Sequence, residues 1–357
     1  MGAGRRLRLL IVDDSVVVRR LIREALRDHP DVEIVGEAGD PYAAREQILN
    51  LQPDVLTLDI EMPRMDGLTF LRKLMAHHPL PVIIISSLTQ SGSAASIEAL
   101  RLGAVDVIGK PSSPAEIQAL GERCRRALAS LSLAPRLNLA PVPLGQPAAP
   151  AAVPTPGQRA EGLLLIGAST GGPAAIETLL MRLPVDTPPT LIVQHMPATF
   201  TAAFAERLNR MVPMRVVEAK GDEIAARGTA YLAPGGKHLL VEKLGLQLRT
   251  RLSEAPQVHH QRPAVDLLFA AAAELRGVPM VAVLLTGMGA DGADGMVALR
   301  KAGAETIAQD ERSCVVFGMP KEAIARGGAA QVASLLEMPA AIFSGFERLV
   351  ERPKLGG

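Results

Sequence analysis

From Ser130 to Ala160 this 357-residue chain carries seven prolines among alanines, and the only charged residues there are Arg136 and Arg159. A prolyl ring removes a backbone donor and fixes φ, so neither a helix nor a central strand can run through such a stretch. Extended at about 3.1 Å per residue, it would reach up to ~95 Å as a tether. A loop of that length inside one compact domain is uncommon. The chain is therefore expected to fold as two units, 7–127 and 161–350, joined by a Pro/Ala-rich linker over 128–160. Its length allows two domains of about 150 residues, each large enough to bury a core of its own.

Before the linker, short apolar runs alternate with helical periodicity. Leu9–Val12, Val32–Val35, Val55–Leu58, Val82–Ile85 and Val105–Ile108 read as strands, and Val16–Leu26, with apolar residues spaced at 3.6, reads as a helix. Five βα units predict a parallel sheet covered on both faces. Polar residues collect just beyond the carboxyl ends of the strands, where such sheets place their sites: Asp13 and Asp14, Asp59, Ser86 and Lys110. Capping of a helix that starts near Ser15 would explain the aspartate pair but not the other strand ends.

Converging carboxylates repel one another unless a cation sits among them, and an all-oxygen cluster suits a hard ion such as Mg²⁺. The expected metal ligands are Asp13, Asp14 and Asp59. Asp59 is then placed to accept a phosphoryl group, with Lys110 pairing to it and the Ser86 hydroxyl reaching the product. With the run Asp59-Ile-Glu-Met-Pro-Arg-Met-Asp-Gly67 and Lys110-Pro111 added, the segment resembles the receiver domain of two-component response regulators over about residues 7 to 127. It departs from many receivers at Val107, which stands where they carry a Tyr or Phe that swings inward on activation. Met62 and Met65, flanking the loop, are expected to be packing residues.

After the linker, Gly162-Leu-Leu-Leu-Ile-Gly-Ala-Ser-Thr-Gly-Gly-Pro173 reads as an apolar strand entering a turn of small residues, with a helix leaving near Gly172. Ser169 would sit at a strand end beside a helix N-terminus, where unpaired N–H groups favour developing negative charge. By itself the turn is open to other readings. It lacks the Gly-x-Gly-x-x-Gly and Walker spacings of phosphate cradles, and a turn with no chemical role is the commoner case. Thr190–Val193 then ends in Gln194-His195-Met-Pro197, and Val281–Leu285 ends in Thr286-Gly-Met-Gly-Ala-Asp-Gly-Ala-Asp294. A serine, a histidine and an aspartate at three strand ends of one parallel sheet can meet, and triads are recognised by geometry and role, whatever their chain order.

These segments, with Ala233-Pro-Gly-Gly-Lys-His238 and Ser313-Cys-Val-Val-Phe-Gly-Met-Pro320, closely resemble the catalytic domain of the chemotaxis protein-glutamate methylesterases, the CheB family, whose members join it to an N-terminal receiver. The resemblance runs from about Leu7 to Leu349. It implies an α/β protein throughout: a flavodoxin-like receiver of five βα units, then a doubly wound, mainly parallel α/β hydrolytic domain. It places the triad on Ser169, His195 and Asp291, the oxyanion donors on the backbone of Thr170 and Met288, and Asp294 at a helix start. The implied activity is a phosphorylation-regulated serine hydrolase that demethylates glutamyl methyl esters and deamidates glutamines on a methyl-accepting chemoreceptor cytoplasmic domain, with a chemotaxis histidine kinase as phosphodonor. A docking adaptor built on the same fold, or a hydrolase of another ester, are the alternatives; an adaptor has no physical need for all three triad residues.

Other candidates read as structural. No Cys, His or carboxylate spacing near His238, His259 and His260 matches a zinc site, so hydrogen-bonded or exposed loop histidines are expected. Arg262, beside a helix expected near Ala264, reads as a substrate contact or a plain surface residue. Cys314, next to Val315-Val316-Phe317, reads as a buried thiol. A formal charge of +1, 3% aromatics and no Trp leave neither the basic field nor the stacking platforms that nucleic-acid binding needs. Two cysteines, a basic start without a signal-peptide apolar run, and no apolar stretch near ~20 residues point to the cytoplasm without membrane insertion.

Overall fold

Strands rich in Val, Ile and Leu and buried on both faces form two separate parallel sheets in the computed structural model, which describes residues 6–87, 89–111, 120–122, 124–125, 127–128 and 162–351. The chain divides into two compact units, within 1–143 and 144–357. The Pro/Ala-rich stretch lies outside the described residues.

In the first unit β1 (Leu7–Val12), β2 (Val32–Ala38), β3 (Val55–Asp59), β4 (Val82–Ser86) and β5 (Asp106–Gly109) alternate with α1 (Val16–Leu26), α2 (Pro41–Leu51), α3 (Gly67–His77) and α4 (Gln90–Arg101). The sheet order is β2-β1-β3-β4-β5, parallel throughout. β3 and β4 are buried along their whole length, as mainly apolar strands covered on both faces require. The starts of α1, α2 and α3 each have their own acceptor: Ser15 Oγ takes the N–H of Val18, Asp40 those of Tyr42 and Ala43, and Asp66 that of Thr69. Because Ser15 caps α1, neither Asp13 nor Asp14 is needed there. β5 begins one residue later than the periodicity suggested, at Asp106, and ends directly against Lys110.

The second unit runs β6 (Leu163–Ala168), α5 (Gly172–Leu180), β7 (Thr190–Gln194), α6 (Ala198–Met211), β8 (Arg215–Glu218), β9 (Thr229–Leu232), β10 (His238–Leu244), β11 (Gln247–Ser253), α7 (Val265–Ala273), β12 (Met280–Leu284), α8 (Ala293–Lys301), β13 (Glu305–Gln309), α9 (Met319–Ala325), β14 (Gln331–Ala333) and α10 (Met338–Glu351). Seven strands pair in parallel in the order β14-β13-β12-β6-β7-β9-β8. β10 and β11 form a separate antiparallel hairpin, and β10 packs on α7. Leu163, Leu165, Leu191, Val193, Phe269 and Leu284 fill the core beneath the hairpin and α7, each contributing about 1.5–3 kcal/mol on burial. Strand order reverses at β6: the chain first fills the β7 side, where β9 enters between β7 and β8, and then passes to the β12 side. The crevice at such a reversal, beyond the carboxyl ends, is where open α/β sheets bind ligands.

Candidate active site and candidate phosphoacceptor site

Ser169 follows the last residue of β6, and its N–H donates to the Thr286 carbonyl at 3.0 Å. Gly171, at φ +76°, turns the chain into α5, and a Cβ there would meet Val315 at 2.6 Å; only glycine fits on both counts. The Thr170 N–H donates to no acceptor among the described residues. His195 follows β7, and its N–H donates to the Ala168 carbonyl at 3.1 Å. Asp291 lies in the loop between β12 and α8. The three expected triad residues thus stand beyond adjacent strands β7, β6 and β12.

His195 Nε2 lies 2.7 Å from Asp291 Oδ2, and both side chains are buried. The same carboxylate accepts the N–H of Val265 at 2.8 Å and of Asp266 at 2.9 Å, the first two amides of α7. Burial pushes the Asp291 carboxyl up, but the imidazole hydrogen bond and charge, with the two amides, outweigh it and hold the group below the usual carboxylate range. An ionised acceptor fixes the imidazole with its proton on Nε2, leaving Nδ1 as the basic nitrogen. That Nδ1 is buried and has no hydrogen-bond partner. No hydrogen bond joins it to Ser169 Oγ, a looseness common in sites awaiting substrate. Met288, in the β12–α8 loop, is half-buried.

Several residues of this site were not legible in advance. Thr286, fully buried, binds the Thr170 carbonyl through its hydroxyl at 2.9 Å and accepts the Val316 N–H at 2.9 Å. Its own N–H goes to Gln309 Oε1 at 2.8 Å. The Ser313–Pro320 motif therefore braces the β12 loop from behind; a Cβ on Gly318 would meet the Gly287 carbonyl at 2.7 Å. Asp266 accepts the Gly295 N–H at 2.7 Å and faces His259 Nε2 at 3.1 Å. His259, Asp266 and Asp291 each bring one ligating atom within 4.8 Å of the others, a meeting that sequence spacing did not reveal. With Asp291 satisfied by two amides and His195, and Asp266 by Gly295, the group is a hydrogen-bond network tying α7 to α8.

The remaining candidates resolve by contact. His238 is not a loop residue but opens β10, fully buried, its Nδ1 accepting from Ala264 N–H and its Nε2 bonded to the Pro256 carbonyl, each at 3.1 Å. His259 and His260 form a left-handed turn at φ +52° and +59°. Arg262 donates to the carbonyls of Glu254 and Ala255 just before α7. Asp294 sits in the first turn of α8, paired with Arg326. Cys314 is buried, which pushes its thiol far up and leaves it unreactive.

In the first unit Asp13, Asp14 and Asp59 each place one oxygen within 4.8 Å of the others. Lys110 Nζ lies 2.7 Å from Asp59 Oδ2 and 3.1 Å from Asp13 Oδ2. Neither oxygen is met at hydrogen-bonding angles, so both buried acceptors stay under-satisfied, and the ammonium serves as a point charge. Burial, opposed by the adjacent Lys110 ammonium and reinforced by Asp13, pushes the Asp59 carboxyl up to about 6. Asp13 is raised as well, by burial against the pull of Lys110. Two under-satisfied buried carboxylates and one exposed one suit a hard divalent ion such as Mg²⁺. Ser86 ends β4 fully buried, and its carbonyl accepts the Lys110 N–H at 2.7 Å. Val107 and Met62 are buried and Met65 half-buried.

The CheB methylesterase profile matches residues 164–342, and the response regulator receiver domain profile residues 9–121. The chain belongs to the CheB methylesterase family. A protein-glutamate methylesterase/protein-glutamine glutaminase 2 of Syntrophus aciditrophicus (strain SB) is 46% identical over 330 residues, 92% of this chain and 96% of that protein. A protein-glutamate methylesterase/protein-glutamine glutaminase of Thiobacillus denitrificans (strain ATCC 25259 / T1) is 48% identical over 352 residues, covering 97% and 99%. The crystal structure of the Thermotoga maritima CheB methylesterase catalytic domain, 37% identical, superposes with a TM-score of 0.50 over 52% of this chain and 98% of that one. Both described units of this chain are α/β. Among the described residues no helix is long and apolar enough to cross a membrane.

Proposed function

We propose that this chain is a phosphorylation-regulated serine hydrolase of chemotactic adaptation, demethylating glutamyl methyl esters and deamidating selected glutamines on a methyl-accepting chemoreceptor cytoplasmic domain. The observation that carries the reading is the 2.7 Å bond between His195 Nε2 and the doubly amide-bonded Asp291. It leaves one imidazole nitrogen basic, buried and unpartnered at the sheet reversal that also carries Ser169.

Ser169 Oγ attacks the γ-carbonyl carbon of the ester, and His195 Nδ1 takes its proton. The Thr170 and Met288 N–H groups stabilise the tetrahedral oxyanion. Collapse expels the methoxide, protonated by the imidazolium to methanol, and water activated by His195 cleaves the acyl-enzyme to free carboxylate. With glutamine, ammonia is the leaving group, protonated by the imidazolium as the tetrahedral adduct collapses, and the same acyl-enzyme forms and is hydrolysed. In the receiver unit Asp13, Asp14 and Asp59 would hold Mg²⁺, which when bound supplies charge neutralisation for the carboxylates and for a phosphoryl donor. Asp59 is the proposed phosphoacceptor, Lys110 and Ser86 its partners, and a chemotaxis histidine kinase the donor. The setting is cytoplasmic, with neither nucleic acid nor membrane insertion involved.

A methanol-release assay on a methylated receptor cytoplasmic fragment tests this. The wild-type chain releases methanol, whereas Ser169→Ala releases none above background while still binding the fragment; wild-type release by that variant would sink the assignment.

A further inference from the structure

We infer that Gln194 is a positioning residue that fixes the nucleophile and the base of this hydrolase relative to one another. The inference rests on the proposed roles of Ser169 and His195. Gln194 ends β7, with 2% of its surface exposed. Its side-chain amide nitrogen donates to the Ser169 carbonyl at 2.9 Å and to the His195 carbonyl at 3.1 Å. One planar group therefore spans the backbone of both residues, which belong to different strand ends. The direction of the amide is settled by chemistry: turned over, its oxygen would face two carbonyl oxygens.

The opposite side of the amide is fitted as closely. Oε1 is buried without a partner, and a Cβ on Gly172 would come within 2.0 Å of it. Gly172 is absent from the left-handed glycines, so its missing side chain answers to this contact and to Ala168 Cβ at 2.8 Å rather than to backbone strain. Its own N–H also reaches the Ser169 carbonyl, at 2.7 Å. The Ser169 carbonyl thus receives two donors, one from the helix start and one from β7, while the Ser169 N–H is held by Thr286 from the β12 side. A buried polar side chain that leaves one of its own atoms unsatisfied in order to place another costs free energy, and the return here is alignment. Proximity effects are steep: a displacement of about 1 Å between reacting groups can lower turnover about 10²-fold.

The test compares wild type, Gln194→Met, Gln194→Glu and Ser169→Ala in the full chain. It uses methanol release from a methylated receptor fragment, the rate of Ser169 labelling by a fluorophosphonate, and thermal unfolding. Met keeps the length of the side chain but cannot donate; Glu keeps the shape, and when ionised it cannot donate either, so it carries the comparison if the Met variant fails to fold. The expected result is a kcat lowered about 10²-fold with KM unchanged, and labelling slowed in the same proportion at temperatures where the variant is fully folded. Near wild-type kcat and labelling in a folded Gln194 variant, with Ser169→Ala inactive, would overturn the positioning role and leave the serine mechanism standing. Activity lost only in step with the folded fraction would overturn it likewise. Methanol release by Ser169→Ala would remove the mechanism itself, and the inference with it.

Discussion

Asp59 is buried beside a second carboxylate, with a single ammonium to serve both. Its carboxyl lies at about 6, against an ordinary 3.8, because burial outweighs Lys110. A raised acid pKa means that the folded state holds the proton more tightly than the unfolded chain. The stabilisation from that proton is complete below about pH 4 and is lost as pH rises through about 6. In metal-free buffer at pH 7, Asp59→Asn should therefore be more stable than wild type, by on the order of 1–3 kcal/mol, and the difference should shrink towards pH 4. Denaturant melts of the full chain at the two pH values check this, and added Mg²⁺ should narrow the gap by binding wild type better. A variant less stable than wild type at pH 7 would mean that Lys110 already satisfies the pair.

At the scale of elements, the proposed triad acid, Asp291, also serves as a cap. Ala264 precedes α7 and has no side chain to cap it, so the amides of Val265 and Asp266 are taken by Asp291 from the loop between β12 and α8. One carboxylate both orients His195 and fastens α7 to that loop, and α7 in turn carries β10. Asp291→Ala should lose hydrolysis and also about 1–3 kcal/mol of stability, because it strands two buried donors. Asp291→Asn keeps one carbonyl oxygen, for the Asp266 amide, so it should be destabilised less than Asp291→Ala yet hydrolyse about 10³-fold more slowly or worse, since its NH₂ cannot accept from Nε2. Thermal melts set beside methanol release separate the two jobs; equal destabilisation by both variants would count against the cap. On the neighbouring element, buried Glu177 of α5 is matched by two bonds from Arg207 of α6, at 3.0 and 3.1 Å, which locks the helices that follow Ser169 and His195.

For the molecule as a whole, two units each with its own sheet and core share one chain with a Pro/Ala-rich segment between them in sequence. The receiver reading predicts that phosphorylation of one unit changes turnover in the other. Each tenfold change needs a shift of only about 1.4 kcal/mol between states. Acetyl phosphate with Mg²⁺ should raise methanol release by wild type and leave Asp59→Asn at its basal rate. Equal rates in wild type with and without the phosphodonor would assign the receiver to docking rather than to gating. Val107, buried and aliphatic, cannot supply an aromatic switch, so the transition should pass through the Ser86 and Lys110 ends of β4 and β5.

The strands of the first unit were legible, because a short, mainly apolar run ending near an acid, a serine or a lysine is a local pattern, and the parallel sheet brings such strand ends to one edge. The β6 strand, its glycine turn and the strand ends bearing His195 and Asp291 were readable for the same reason. The hairpin β10–β11 and strands β8, β9, β13 and β14 were not, since short strands owe their pairing to partners far along the chain. His238 shows the limit most directly: its sequence neighbours suggest a loop, and only Ala264 and Pro256, brought close by folding, make it a buried brace. The amides that hold Asp291, the hydroxyl of Thr286 and the bridge made by Gln194 are likewise long-range contacts. Local sequence could name the candidate groups, because their chemistry is carried by residue type. How they are held was decided by the tertiary structure, because a hydrogen bond between residues 25 or more apart exists only once the sheet has assembled.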